Sequence, residues 1–266
     1  MTREGSAGTP PRLVSAAAVV GAAFLTIPLA GLLLATPWSR LPELLSSPSS
    51  AMALRLSLLT SLSATALCLL LGLPLAMVLA RHDGWGIRVL RVLVTLPLVF
   101  PPVVAGIALL TALGRRGLIG RWLYDTAGVQ IPFSTAAVVL AEAFVALPFL
   151  VIAVEGAVRS LDRRVEEAAL LLGATRWTIL RRVTLPLITP ALVAGTVLCW
   201  ARALGEFGAT ITFAGSLPGV TQTLPLAVYG LLDSDRDAAL AMSILLLLIS
   251  VSILLLLRQR TGRSIA

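Results

Sequence analysis

Apolar residues in this chain fall into long runs separated by short polar gaps. The runs cover residues 13–38, 53–80, 90–114, 135–158, 187–215 and 238–257. Each holds about 20 residues or more, enough to cross ~30 Å of hydrocarbon at ~1.5 Å per residue. Only internally hydrogen-bonded helices or closed barrels can cross lipid, and the alternation that a barrel strand needs is absent. The pattern predicts an all-α, polytopic membrane protein with about six transmembrane helices in a single domain, 1–266. One gap stands apart. Residues 160–186, between the fourth and fifth runs, carry arginine and glutamate over a length that a simple connection does not need.

That insertion reads as two short helices joined by a glycine. Asp162 is a suitable N-cap, and Arg163–Leu172 is unbroken by glycine or proline. Gly173 is placed to adopt the left-handed conformation that ends a helix, and Thr175 to cap the next. Arg176–Leu185 then runs into Pro186, which is expected to open the fifth span at a position proline tolerates. Glu166, Ala169, Leu170 and Gly173 share one face of the first helix, since residues three and four apart are neighbours. Ala168 and Ala169 are small enough to admit another protein surface. The competing reading is a solvated connection or a helix lying on lipid headgroups, which Arg163, Arg164, Arg181 and Arg182 would serve equally well.

Composition supports the membrane reading, with 58% hydrophobic and 13% charged residues. The mean hydropathy is +0.96. The net charge of +8 raises the question of a polyanionic partner. All 21 basic residues are arginine, however, and their positions follow membrane topology. With both termini in the cytosol, 14 arginines lie inside (3, 12, 81, 88, 91, 159, 163, 164, 176, 181, 182, 258, 260 and 263). Six lie outside (40, 55, 115, 116, 121 and 236), and Arg202 falls within a span. The positive-inside rule selects that orientation, and nucleic acid is set aside as a partner. Arg115, Arg116 and Arg121 run against the trend. The first run exceeds the usual 7–15 residues of a signal core, so it is expected to remain as a helix.

Absences exclude several chemistries. A P-loop needs a lysine for the nucleotide phosphates, and the chain has none. Schiff-base chemistry through lysine falls with it. His82, the sole histidine, sits beside Asp83 and Gly84 and reads as part of a solvated turn. Cys68 and Cys199 lie in apolar runs and read as small core residues, with no metal or disulfide spacing. Nothing resembles a nucleophile–base pair, so the chain is not expected to be an enzyme or to bind a cofactor or metal.

Within the spans, Pro97, Pro101, Pro102, Pro148 and Pro190 should kink or interrupt helices, and broken helices commonly line cavities. Charged residues inside a bilayer are costly. Arg202 and Glu206 are spaced to meet on one face of the fifth span. They form either a self-neutralising buried pair or a path element in which Arg202 attracts a passing oxyanion while Glu206 holds it in place. Gly205 and Gly208 flank the glutamate and would allow close helix approach, as at a subunit interface; with Thr210, Pro101 and Pro102 they complete the candidate path. Glu142 and Glu155 show no partner in the sequence, and Glu155 is near enough to the cytosolic end to reach water.

Glu167-Ala168-Ala169, then Gly173 after three intervening residues, then Val183-Thr184-Leu185-Pro186 after nine more intervening residues, resemble the EAA loop of ABC importer permeases, with valine where isoleucine is usual. The resemblance extends over about 53–257. It implies that Glu166, Glu167, Ala168, Ala169, Gly173, Arg176 and Pro186 form a coupling helix and its surround, docked on an ATP-binding subunit. Two copies of the chain, two such ATPase subunits that use the ATP and Mg, and an extracytoplasmic binding protein follow from it, in a bacterial cell membrane. Gly114-Arg-Arg-Gly-Leu-Ile-Gly120, Ala201–Phe213 and Thr223–Tyr229 resemble the molybdate branch. Sulfate, thiosulfate or tungstate permeases are the near alternatives. An ion-gradient-driven secondary transporter is the distant one, and the internal repeat it predicts is not seen.

Overall fold

The computed structural model describes residues 12–261, whose regular structure is helical, without a strand among them. Arg3 and Arg263, counted above, lie outside the described residues. The chain runs α1 (Arg12–Ala35), α2 (Leu41–Leu45), α3 (Pro48–Arg81), α4 (Trp85–Val99), α5 (Pro102–Leu113), α6 (Gly120–Ala127) and α7 (Thr135–Ser160). It continues through α8 (Arg163–Leu171), α9 (Arg176–Ile179), a π-helical turn (Leu180–Thr184), α10 (Leu185–Leu204), α11 (Gly208–Phe213), α12 (Leu224–Leu231) and α13 (Arg236–Thr261).

Five of the six predicted spans appear as helices long and apolar enough to cross a membrane: α1, α3, α7, α13 and the continuous run Arg176–Leu204. The sixth, expected over 90–114, is divided. α4 stops at Val99, Phe100 and Pro101 are extended, and α5 restarts with Pro102 as its first residue. Each proline lacks an N–H, and the Pro102 ring keeps residue 101 out of the helical region.

The fifth span departs from expectation at both ends. Pro186 does not open it; the helix is already running, and the wider π turn carries it past the proline. Leu185 N–H reaches back to Leu180 O, five residues away. Widening the turn there relieves the clash that the proline ring would otherwise make with the carbonyl four residues earlier. At the other end the helix stops at Leu204, not at residue 215, and α11 begins separately at Gly208.

α7 is the central post, with 61% of its apolar window buried against 33% for α3. Alanines let its neighbours approach: Ala64, Ala76, Ala137, Ala141 and Ala146 are fully buried. One core cluster joins α3, α4, α7 and α10 around Leu79, Leu150, Val151 and Ile188. A second joins α5, α7 and α11 around Val138 and Phe213. A third joins α3, α12 and α13 around Ala53, Leu224 and Met242. α8 and α9 project from one end of this bundle.

Candidate functional site

The caps and the glycine turn of the α8–α9 unit form where the sequence predicts them, while the second helix passes into the π turn after Ile179. Leu161 is extended and leaves α7, and the Asp162 side chain accepts from Arg164 N–H at 3.0 Å to cap α8. Gly173 takes φ +83°, with Gly173 N–H on Leu170 O and Ala174 N–H on Ala169 O. Those two bonds close the orphan carbonyls of the helix end. Thr175 then caps α9 by accepting from Thr178 N–H at 3.2 Å.

Nothing in α8 is buried. Leu171 and Leu172 are 90% and 89% exposed, with Leu170 and Trp177 also open to the outside. Glu167 and Ala168 point outward, Ala169 is half-buried, and Arg176 and Pro186 are exposed. Glu166 departs from this group. Its carboxylate turns inward, 2.6 Å from Arg81 Nη2 and 2.5 Å from the Thr184 hydroxyl that donates to it. The face that holds Glu166, Ala169 and Leu170 stays together but turns toward the bundle, where Glu166 and Leu170 line one cavity with Arg81 and Thr184. Glu167, Ala168, Leu171 and Leu172 are presented outward, and Glu166 ties the unit to the bundle.

The candidate path residues gather where α5, α10 and α11 meet. Arg202 Nη2 lies 2.6 Å from Glu206 Oε2, the self-neutralising pair foreseen from their spacing. Glu206 is not on the same continuous helix, however. It sits in the break after α10, 1% exposed, and its Oε1 accepts from Ala209 N–H at 2.8 Å, capping α11. Gly205 has room around it, whereas a Cβ on Gly208 would come 2.5 Å from Pro102 Cβ. A Cβ on Gly106 would come 2.8 Å from Ala209 O and 2.6 Å from Thr212 Cβ. The close approach that Gly208 permits is thus used within the chain, between α5 and α11. Thr210 is fully buried there, and Pro101 and Pro102 are exposed at the helix break.

Two carboxylates read above as unpartnered have partners in space, one of which, Arg159, lies only four residues from Glu155 on α7. Glu155 does not reach water; it is buried, with Arg91 Nε at 2.8 Å and Arg159 Nε at 3.2 Å. Glu142 accepts from the Thr60 hydroxyl at 2.9 Å.

A family model described as binding-protein-dependent transport system inner membrane component matches residues 69–260. The chain belongs to that family. This permease is 54% identical over 230 residues to the molybdenum transport system permease protein ModB of Mycobacterium tuberculosis, spanning 86% of this chain and 87% of that one. It is 44% identical over 182 residues to ModB of Escherichia coli K12, spanning 67% and 80%. Its fold matches the crystal structure of a bacterial ABC transporter that imports the acidic polysaccharide alginate, at TM-score 0.70 and 21% identity, covering 95% and 94%. The permease is a multi-pass membrane protein and a transport subunit, not itself an enzyme.

Sequence reasoning missed a polar strip on α3 of this permease. The Ser57 hydroxyl accepts from Leu224 N–H at 2.6 Å, Thr60 donates to Glu142, and Ser61 accepts from Trp200 Nε1 at 3.0 Å. One helix face thereby reaches α12, α7 and α10. The signal was available: Ser57, Thr60, Ser61 and Thr65 recur at helical spacing in an otherwise apolar run, as polar residues binding neighbouring membrane helices do.

Proposed function

We propose that the chain is the membrane-spanning subunit of an ATP-driven importer that translocates molybdate. It works as a homodimer, with one ATP-binding cassette subunit docked on each α8 and an extracytoplasmic binding protein delivering the oxyanion to the opposite face. Both termini lie in the cytosol, and the whole chain forms one permease domain. The ATP and Mg belong to the partner ATPase.

The observation that carries this reading is the exposed α8–Gly173–α9 unit. It sets unpaired leucines and a tryptophan at one tip of a membrane bundle, where water would penalise them unless a partner covers them. The 54% identity to a molybdenum permease supports the choice of cargo. Closure of an ATPase pair would draw the two α8 tips together and rock the spans as rigid bodies, the alternating-access form of domain motion.

The test is reconstitution with the ATPase and binding protein in vesicles, following labelled molybdate. Uptake should require ATP, fall when tungstate competes and persist in excess sulfate. Glu167→Lys or Gly173→Leu should abolish uptake while the protein stays inserted. Normal coupled uptake in both variants would remove α8 from the docking role, and uptake suppressed equally by sulfate would overturn the molybdate assignment.

A further inference from the structure

α8 buries nothing of its own, so motion applied to it must reach the spans through a few ties. Two are covalent: the extended Leu161–Asp162 link to α7, and the Gly173 turn to α9. The third is Glu166. Its carboxylate, whose side chain is 18% exposed, holds Arg81 at 2.6 Å and Thr184 at 2.5 Å. Arg81 is the last residue of α3, and its Nη2 also reaches the Thr184 hydroxyl at 3.4 Å. Thr184 is fully buried and closes the π turn that leads into α10. One carboxylate therefore connects the projecting helix to the ends of two spans that are 103 residues apart in sequence.

The end of α3 is itself fastened. Leu79 O, two residues before Arg81, accepts from Arg91 Nη2 at 3.0 Å and from Arg159 Nη2 at 3.3 Å. Glu155 binds the same two guanidiniums from the α7 side. α3, α4 and α7 are thus clamped into one block at this end. A displacement of α8 transmitted through Glu166 moves that block and α10 together.

We propose that Arg81, Glu166 and Thr184 form the latch that converts motion of α8 into motion of the spans, with Arg81 a positioning residue rather than part of the docking face. An isolated ion pair on a surface would contribute little. This carboxylate takes one donor from each of two elements, one of them buried, at a place where packing is thin. The proposal rests on the importer reading.

The experiment measures molybdate taken up per ATP hydrolysed by the reconstituted complex. Arg81→Gln should still co-purify with the ATPase and keep basal hydrolysis, while uptake per ATP falls about 10-fold, the size of an ordinary coupling free energy. Thr184→Val should shift the ratio in the same direction. The charge exchange Arg81→Glu with Glu166→Arg should recover most of it, which mere stabilisation of the fold would not do at constant complex yield. An unchanged ratio in Arg81→Gln overturns the proposal, as does loss of uptake only in proportion to loss of assembled complex. If the unaltered complex shows no ATP-dependent uptake, the importer reading fails, and the latch with it.

Discussion

At the scale of single residues, the Arg202–Glu206 pair gives the sharpest expectation. Glu206 is buried, and removing its cation leaves a charge without compensation. Arg202→Ala should lower stability by about 3–5 kcal/mol, whereas Arg202→Leu with Glu206→Gln should recover much of the loss. Thermal unfolding in detergent would read both. A double variant no more stable than the single one would mean that the pair is not self-contained. This pair was legible in the sequence because its partners are four residues apart. The Glu155–Arg91 pair was not, since its members are separated by 64 residues and only the packing of α4 on α7 brings them together. The partners of Glu166 were hidden for a similar reason. Helical spacing puts it on a face with Leu170, but Arg81 and Thr184 come from elsewhere in the chain and decide which way the carboxylate turns.

At the scale of elements, breaks govern the architecture. The Pro101–Pro102 interruption could be read directly, because two consecutive rings remove both donors and helical freedom. The break at 205–207 could not. Glycine is common in membrane helices, and the apolar run continues on both sides. The Glu206 carboxylate bonds locally to Ala209 N–H at the start of α11, but the packing of Gly208 on Pro102 is tertiary and leaves no local mark. The π turn was hidden as well, since Pro186 at a helix start and Pro186 within a widened helix present the same local sequence. The α5–α11 crossing offers a test at this scale. Gly106→Ala pushes a methyl toward backbone as well as a side chain, and should cost about 1–3 kcal/mol by overpacking. Gly21→Ala on α1, where nothing lies within 4 Å, should change stability by less than ~0.5 kcal/mol. Melting the two variants side by side gives the comparison, and equal behaviour would argue against the tight crossing.

At the scale of the whole molecule, six apolar runs and the charged insertion were enough to anticipate a helical bundle with a projecting helical pair. The assignment of elements to three core clusters was beyond reach, because alanine-rich runs look alike until they are packed. Orientation follows from the proposed topology and can be measured. Cys68 and Cys199 are both buried, so an impermeant thiol reagent should leave the parent protein unlabelled. Leu171→Cys should react only from the cytosolic side, and Arg116→Cys only from the opposite one. Labelling of both from one side would invert or break the proposed arrangement.

α1 stands nearly outside the bundle. None of its apolar window is buried, and it contributes to none of the three clusters. A shortened chain starting at Leu41 would keep every one of those clusters whole. The first helix is thus a peripheral module that touches the rest of the described bundle chiefly at α13, and natural variation could trim or exchange it without rewriting those three clusters.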